Sequence, residues 1–305
     1  MSLNDLIRSV HAKKDPSSDI DLFLHSRSDD VRKLGWHPSD FAGMCTRQRV
    51  LMDLLKIPLY AEISPRLKRI FDIGKAVHRI YQEDYFGKMG HLWGKWKCLR
   101  CNRVEWGFEP MYDVSKCYPE NTLEMIDPNS SARHIWEYKE VPMKATIDGL
   151  SKPLLGHSDG MLNVYGEWHV LELKSINHFG FQKLVEPVYK HWCQGQVYGE
   201  LIRQRLIVGY VGSIPIPKKL VVGYINKNNS EEKFFISPLD GAEGRRLLMQ
   251  PIIYEDSFSN QKLPDEKDKD CNGLLDPKVK KCPVGTYCFG SLSWNQLFAQ
   301  GVKNG

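Results

Sequence analysis

The stretch 154–176 reads LLGHSDGMLNVYGEWHVLELKSI, and its reading decides the fold. Two runs rich in β-branched and aromatic residues, 154–165 and 168–176, flank a Tyr165-Gly166 turn signal, the pattern of two adjacent strands. Asp159 lies in the first run, within Gly156-His157-Ser158-Asp159-Gly160; Glu172-Leu173-Lys174 lies in the second. Side chains two residues apart on a strand emerge on one face, so Glu172 and Lys174 point together. Asp159 can meet them at the same sheet edge. Leu173 points the other way, into the core, and leaves its carbonyl available as a ligand.

Two carboxylates and a backbone oxygen make the hard-oxygen environment that Mg²⁺ or Mn²⁺ prefers. Phosphodiester hydrolysis uses such a site: the metal polarises the phosphoryl oxygen and acidifies bound water, and a lysine beside it offsets transition-state charge. An isolated ExK triplet is more often a plain strand pair with surface acids. Its weight comes from what surrounds it.

Outward from this pair, 136–147 reads as a further strand segment closed by Asp148-Gly149. A helix is expected from about 179 to 204, then strands 219–226 and 232–237 across the turn-rich 226–230, then a helix over 240–250. Upstream, Leu51, Leu54 and Leu55, then Ile70, Ile73, Val77 and Tyr81, recur at helical spacing, punctuated by Pro58 and Pro65. Helices, sheet with crossover helix, and helices again make an α/β core with appendages. Four regions are expected: a helical N-terminal region 1–86, a zinc-ribbon-like insertion 87–135, a core 136–259 with a central mixed sheet flanked by helices, and a cysteine-bearing C-terminal tail 260–305. The charged stretch 260–270 reads as an exposed linker.

The predicted helices add side chains to the site. His78, in Gly74-Lys75-Ala76-Val77-His78, could complete a metal shell, although a histidine so placed is more often a core residue. Gln194 and Tyr198 are four apart on the helix after the ExK strand, hence on one face. The order His78, GxxD to Asp159, ExK, then QxxxY at Gln194 and Tyr198 resembles the RecB-like branch of the PD-(D/E)xK nucleases, with its Cas4-like and AddB-like members and phage exonucleases. The resemblance spans about 74–198. It implies a restriction-endonuclease-like core, divalent-metal ligation by His78, Asp159, Glu172 and the Leu173 carbonyl, and Lys174 as catalytic group. The implied activity is hydrolysis of DNA, single strands or ends, beside recombination or replication proteins. A structure-specific or restriction-like endonuclease is the alternative within enzymes; a non-catalytic DNA-binding adaptor is the alternative outside them.

Eight cysteines sharpen the picture. No apolar run approaches the ~20 residues of a membrane span, and 206–225 is broken by Pro215, Pro217, Lys218 and Lys219. The N-terminal MSLNDLIRSVHAKKD has no secretory pattern, so a cytoplasmic setting, a bacterial host cell if the chain is phage-encoded, and reduced thiols are expected. Cys98-Leu99-Arg100-Cys101 is a zinc knuckle, with Cys117 as third ligand and His134, ahead of His91, as fourth. The family resemblance implies a [4Fe–4S] cluster on Cys45, Cys271, Cys282 and Cys288. The Cys271–Cys282 gap is longer than the usual CxxC there, and zinc is the alternative. Trp93, Trp96 and Trp106 could stack on unpaired bases or form core. Cys193 reads as a buried apolar residue. The net charge of +5 permits a polyanionic partner without demanding one.

Overall fold

A computed structural model of the chain describes residues 20, 21, 23, 24, 35–58, 64–111, 117, 133–265, 267 and 271–304. Most of 1–34 and 112–132, and part of the expected linker at 266–270, lie outside the described residues. Helix α1 (Pro38–Phe41) leads to α2 (Thr46–Leu54), whose N-cap is Cys45: its thiol accepts the Gln48 N–H. Helix α3 (Pro65–Arg79) starts at Ser64, whose hydroxyl accepts from Leu67 N–H, with Pro65 preset for the first turn. It widens without a break into a π-helical segment, Ile80–Gly87. Ile70 and Ile73, read as part of a buried stripe, are exposed among the described residues, while Tyr81 is buried.

The strands are β1 (Leu92–Cys98), β2 (Val104–Gly107), β3 (Trp136–Lys139), β4 (Val141–Ala145), β5 (Leu154–Ser158), β6 (Gly160–Val164), β7 (Glu167–Ile176), β8 (Lys219–Asn226) and β9 (Glu232–Pro238). The central sheet runs β2-β1-β6-β7-β8-β9, with β3 beside β1; β4 and β5 form a separate ribbon. Among the described strands only β7 and β8 pair in parallel, which requires a crossover between them. That crossover carries α4 (His178–Gln182) and α5 (Tyr189–Arg203). A single helix over 179–204 is therefore a correction to make: the chain breaks at 183–188, where Pro187 disfavours helical backbone in the residue before it. The expected helix 240–250 is present as α6 (Gly241–Leu248), and a further helix not foreseen, α7 (Gln250–Ser259), follows it.

Core forms on both sheet faces. Val170, Val222 and Tyr224 pack with Val197, Leu201 and Ile202 of α5; Leu171, Leu173 and Val221 pack with Leu92, Trp96, Tyr138 and Tyr81. The segment 87–135, read as an insertion, contributes β1 to the central sheet through Leu92↔Leu162 and Trp93↔Met161. Trp93 and Trp96 are 6% and 1% exposed, so they are core and not stacking platforms. Trp106 packs beside Trp93 and Tyr210. Cys193 is buried, as read. Among the described residues no helix is long and apolar enough to cross a membrane.

The tail comprises α8 (Pro277–Lys281), α9 (Gly285–Cys288) and α10 (Trp294–Asn304). It packs on α2: Val50, Leu51 and Leu54 meet Val284, Cys288 and Leu297 in one buried cluster. The Arg47 guanidinium reinforces the contact by donating to the carbonyls of Pro264 at 2.6 Å and Cys288 at 3.3 Å. Gly301 of α10 rests on α2 so closely that a methyl group there would run into the Leu54 carbonyl. Gly301→Ala should therefore destabilise the chain by about 2 kcal/mol through overpacking against backbone that cannot yield. A denaturation midpoint equal to wild type would mean that α10 does not seat on α2.

Candidate active site

Three strand ladders end at one place. Ribbon β4–β5 pairs Val141 with Ser158, so one step further sets Glu140 opposite Asp159. The β6–β7 ladder pairs Gly160 with Leu171, so one step further sets Asp159 opposite Glu172. Alongside β1 the neighbour changes from β6, reaching Trp93, to β3, reaching Lys95. Asp159 thus sits where the chain leaves one sheet for another. Gly160 makes the bend: its φ is +145°, and a side chain there would strike Leu92 and the Tyr138 hydroxyl.

Beyond Leu171, β7 has lost β6 as a partner, and its next inward-facing N–H, on Leu173, needs an acceptor. The Asp159 carboxylate supplies it, Oδ2 accepting the Leu173 N–H at 2.5 Å. In extended backbone the N–H and C=O of one residue face the same side, so the Leu173 carbonyl faces this opening too. The π-helical segment secures the rest. Gln82 donates to the Asp159 carbonyl at 2.9 Å, Glu83 accepts the Tyr138 N–H at 3.1 Å, and Tyr81 donates to Glu232 at 2.8 Å. Wide π turns of this kind gather near functional sites.

One turn before that segment, α3 delivers His78, with Nδ1 3.5 Å from Asp159 Oδ1. His78, Glu140 and Asp159 each offer a ligand atom, all lying within 4.8 Å of one another, and form a group able to hold a metal ion. The carboxylate of Glu172 is in direct contact with the Lys174 ammonium on the same strand face. From α5, Gln194 and Tyr198 come in together, the Gln194 amide donating to the Tyr198 hydroxyl at 3.3 Å. The residues picked from sequence for this centre are therefore brought together. Glu140 is the member that sequence reading missed.

Charge and burial are in tension here. Burial pushes the Glu172 carboxyl up to about 7, with Asp159 adding to it and the Lys174 contact working against it. Burial and then Asp159 push Glu140 up to about 7 as well. For Asp159 burial acts in the same sense, but His78, Lys174 and the Leu173 N–H together outweigh it and hold the group below the ordinary aspartate value. Burial opposes charge on His78, and the adjacent Asp159 outweighs that and raises its basicity. Burial likewise opposes charge on Lys174, and Glu172 and Asp159 more than offset it, so the ammonium persists. Tyr198 is held far above the usual phenol range by burial, with Glu172 contributing.

A second group lies at the end of β1. Cys98, Cys101, Cys117 and His134 offer ligand atoms all within 4.8 Å of one another, which places the four residues chosen from spacing in one metal-binding group. Cys98 and Cys117 sulfurs are 3.6 Å apart, and Cys101 Sγ is 3.4 Å from His134 Nδ1. Burial raises the Cys98 thiol, but N–H donors from Cys101 and Arg100 and the His134 ring outweigh it and bring it down to about 6. Cys117 is pushed up to about 12 by burial and by its two cysteine neighbours. One thiolate is thus favoured before any cation arrives.

Four of the other five cysteines line one cavity of about 220 Å³ between α2 and the tail: Cys45, Cys271, Cys282 and Cys288, with Lys267, Lys278 and Lys281 among its other walls. Burial raises the Cys282 thiol, and Cys288 and Cys45 contribute in the same direction.

No family model matches the chain, and no curated protein matches it. Among solved structures, one described as "Crystal structure of SSO0001" aligns with 90% of this chain and 95% of that chain at 14% identity, with a TM-score of 0.38. Likeness at that level assigns neither fold nor chemistry.

The raised carboxyls set a pH dependence. Glu140 and Glu172 hold protons below about 7 and must lose them to face a cation, so affinity should rise with pH. Mn²⁺ titrated calorimetrically should bind about tenfold more weakly at pH 6 than at pH 8 for each such proton displaced. Equal affinity at both pH values would show that neither acid faces the ion.

Proposed function

We propose that the chain is a divalent-metal-dependent DNA nuclease of the PD-(D/E)xK type, with a restriction-endonuclease-like core, that hydrolyses phosphodiester bonds at DNA ends or in single strands. The observation that carries this reading is the convergence on Asp159 of His78 from α3, Glu140 from the β3–β4 junction, and Glu172 and Lys174 from β7. Structural ion pairs rarely bring three acids together around so little cation. Phosphoryl transfer asks for such an arrangement.

The donor set fits Mg²⁺ or Mn²⁺: carboxylate oxygens of Asp159 and Glu140, with Glu172 beside them, the Leu173 carbonyl and the His78 imidazole. Such an ion, when bound, polarises the phosphoryl oxygen and lowers the pKa of a coordinated water. The chain's own residues do the remaining work. Lys174 keeps its charge, and its ammonium orients the attacking water and offsets the negative charge that grows on the phosphorus oxygens. Glu172 fixes that ammonium in place. Gln194 and Tyr198 wall the site from α5, Tyr198 beneath Gly156, where a side chain would collide with its ring.

The other two cysteine sets take different groups. Three sulfurs and one imidazole nitrogen at 3.4–4.8 Å spacing suit a single tetrahedral zinc. A zinc bound at about 2.3 Å by each thiolate sets sulfurs roughly 3.8 Å apart. The tail cysteines surround a much larger cavity, which suits a [4Fe–4S] cluster held by Cys45, Cys271, Cys282 and Cys288. Its role there is to fasten α2 to the tail.

Lys174→Ala and Asp159→Ala should each lower cleavage of linear DNA at least ~10³-fold while leaving DNA binding largely in place. Unchanged turnover in either variant would remove the site assignment. Anaerobically purified protein should carry about four irons and one zinc per chain. A colourless protein with two zincs would replace the cluster and leave the nuclease reading intact.

A further inference from the structure

His191 stands on α5 one turn before Gln194 and two turns before Tyr198, hence on the face that walls the site. Its ring is held by a chain of hydrogen bonds that fixes where its proton sits. Tyr224 lies on β8 directly opposite Lys174 and is fully buried. The Tyr224 hydroxyl oxygen accepts the Val188 N–H at 2.8 Å and lies 3.0 Å from His191 Nδ1. If Nδ1 carried the proton, the buried tyrosine O–H would have no acceptor among the described residues, at a cost of about 1–3 kcal/mol. Nδ1 therefore accepts from the tyrosine, and the imidazole proton is on Nε2.

That assignment excludes one role and defines another. With Nδ1 occupied and Nε2 protonated, neither nitrogen has a lone pair to offer a metal ion. Burial, and after it the Lys174 and Lys190 ammonium groups, hold the ring's basicity down to about 3, so it stays neutral wherever the chain is folded. Nε2–H is thus a neutral donor. The ring is half-buried, and Nε2 is neither enclosed nor bonded to protein among the described residues.

We propose that His191 binds the DNA strand, donating its Nε2–H to a non-bridging phosphate oxygen beside the Lys174 ammonium; this rests on the nuclease reading and adds a contact to that site. The Lys174 charge already bears on the His191 ring, and a second cation there would repel it and weaken the ammonium's hold on Glu172. A neutral donor recognises a phosphate oxygen without that cost. The Val188–Tyr224–His191 chain exists to keep the donor neutral and aimed.

The experiment compares His191→Asn, whose amide can still accept from Tyr224 but does not reach the Nε2 position, with His191→Gln, whose amide does. With linear DNA and Mn²⁺, Asn should raise KM about tenfold with kcat within about twofold, and Gln should recover most of the loss. Methylphosphonate substitution, scanned along the strand, should weaken wild-type binding at one phosphate and leave the Asn variant unaffected there. Imidazole ¹⁵N shifts of the wild type at pH 7 should report a neutral ring protonated on Nε2. A KM unchanged in Asn, a fall in kcat at constant KM, or a ring protonated on Nδ1 or on both nitrogens overturns the role. A wild type that cleaves beside an unaffected Asn variant overturns the His191 contact alone. A wild type that neither binds nor cleaves DNA overturns the nuclease reading and the contact with it.

Discussion

One hydrogen bond organises the centre of this protein: the Asp159 carboxylate accepting the Leu173 N–H. A sheet that loses a strand partway along must find acceptors for the N–H groups left behind, because a buried orphan costs as much as a lost hydrogen bond. Here β6 stops at Gly160, and a side chain replaces the missing carbonyl. The substitution has a chemical consequence. A carbonyl would have been neutral, whereas the carboxylate brings a buried negative charge to the gap, and that charge needs further partners. His78, Lys174 and the Gln82 amide on the Asp159 carbonyl are arranged around it.

The partners do not balance it. Asp159, Glu140 and Glu172 supply three acids against Lys174 and His78, and burial together with Asp159 drives both glutamates up to about 7. A purely structural network would more simply have exchanged one glutamate for an amide, which hydrogen-bonds without the charge. Retaining all three leaves a deficit of positive charge in a site walled by Tyr198 and Gln194. A divalent cation would offset that deficit. Lys174 lies on Glu172, which stands outside the His78–Glu140–Asp159 group, so that group is left for an ion to meet.

Much of this was legible in the chain itself. Period-two patterning placed β7 and β8 within a residue of their observed ends, and the knuckle spacing picked out Cys98 and Cys101, to which the fold brings the candidate ligands Cys117 and His134. Those signals are local: a strand's alternation and a knuckle's spacing are fixed by backbone geometry over a few residues. Glu140 was illegible for the opposite reason. It sits in Lys139-Glu140-Val141-Pro142 with no motif around it, and it reaches Asp159 through the β4–β5 register, a pairing between residues nineteen apart that no local pattern encodes. For the tryptophans of β1 the core reading is the one that holds. Trp93 and Trp96 look like a stacking surface in a cysteine-rich segment, but β1 lies inside the sheet and both its faces are covered. The break in the crossover helix was readable from Pro187, whose effect on the residue before it was outvoted by the apolar spacing on either side.

A cleft alone does not mark a candidate site. One cavity, about 530 Å³, is at the far end of β5, where Trp36 bridges to Leu154, and is walled by Trp36, Arg49, Tyr254, Glu255 and Phe258. Its charges are already spent on one another. Glu255 accepts from Trp36 at 2.7 Å and from the Ser151 N–H and hydroxyl, and Asp53 accepts from Arg49 and Tyr254. Such a cleft is polar surface with partners of its own, and burial together with the bond to Asp53 raises the Tyr254 phenol above its ordinary value. Around Asp159, acids and bases are displaced in both directions by burial and by one another. Groups whose charge the fold has left incompletely answered are where a candidate site is sought, and in this chain those groups meet beside Gly160, where β6 begins.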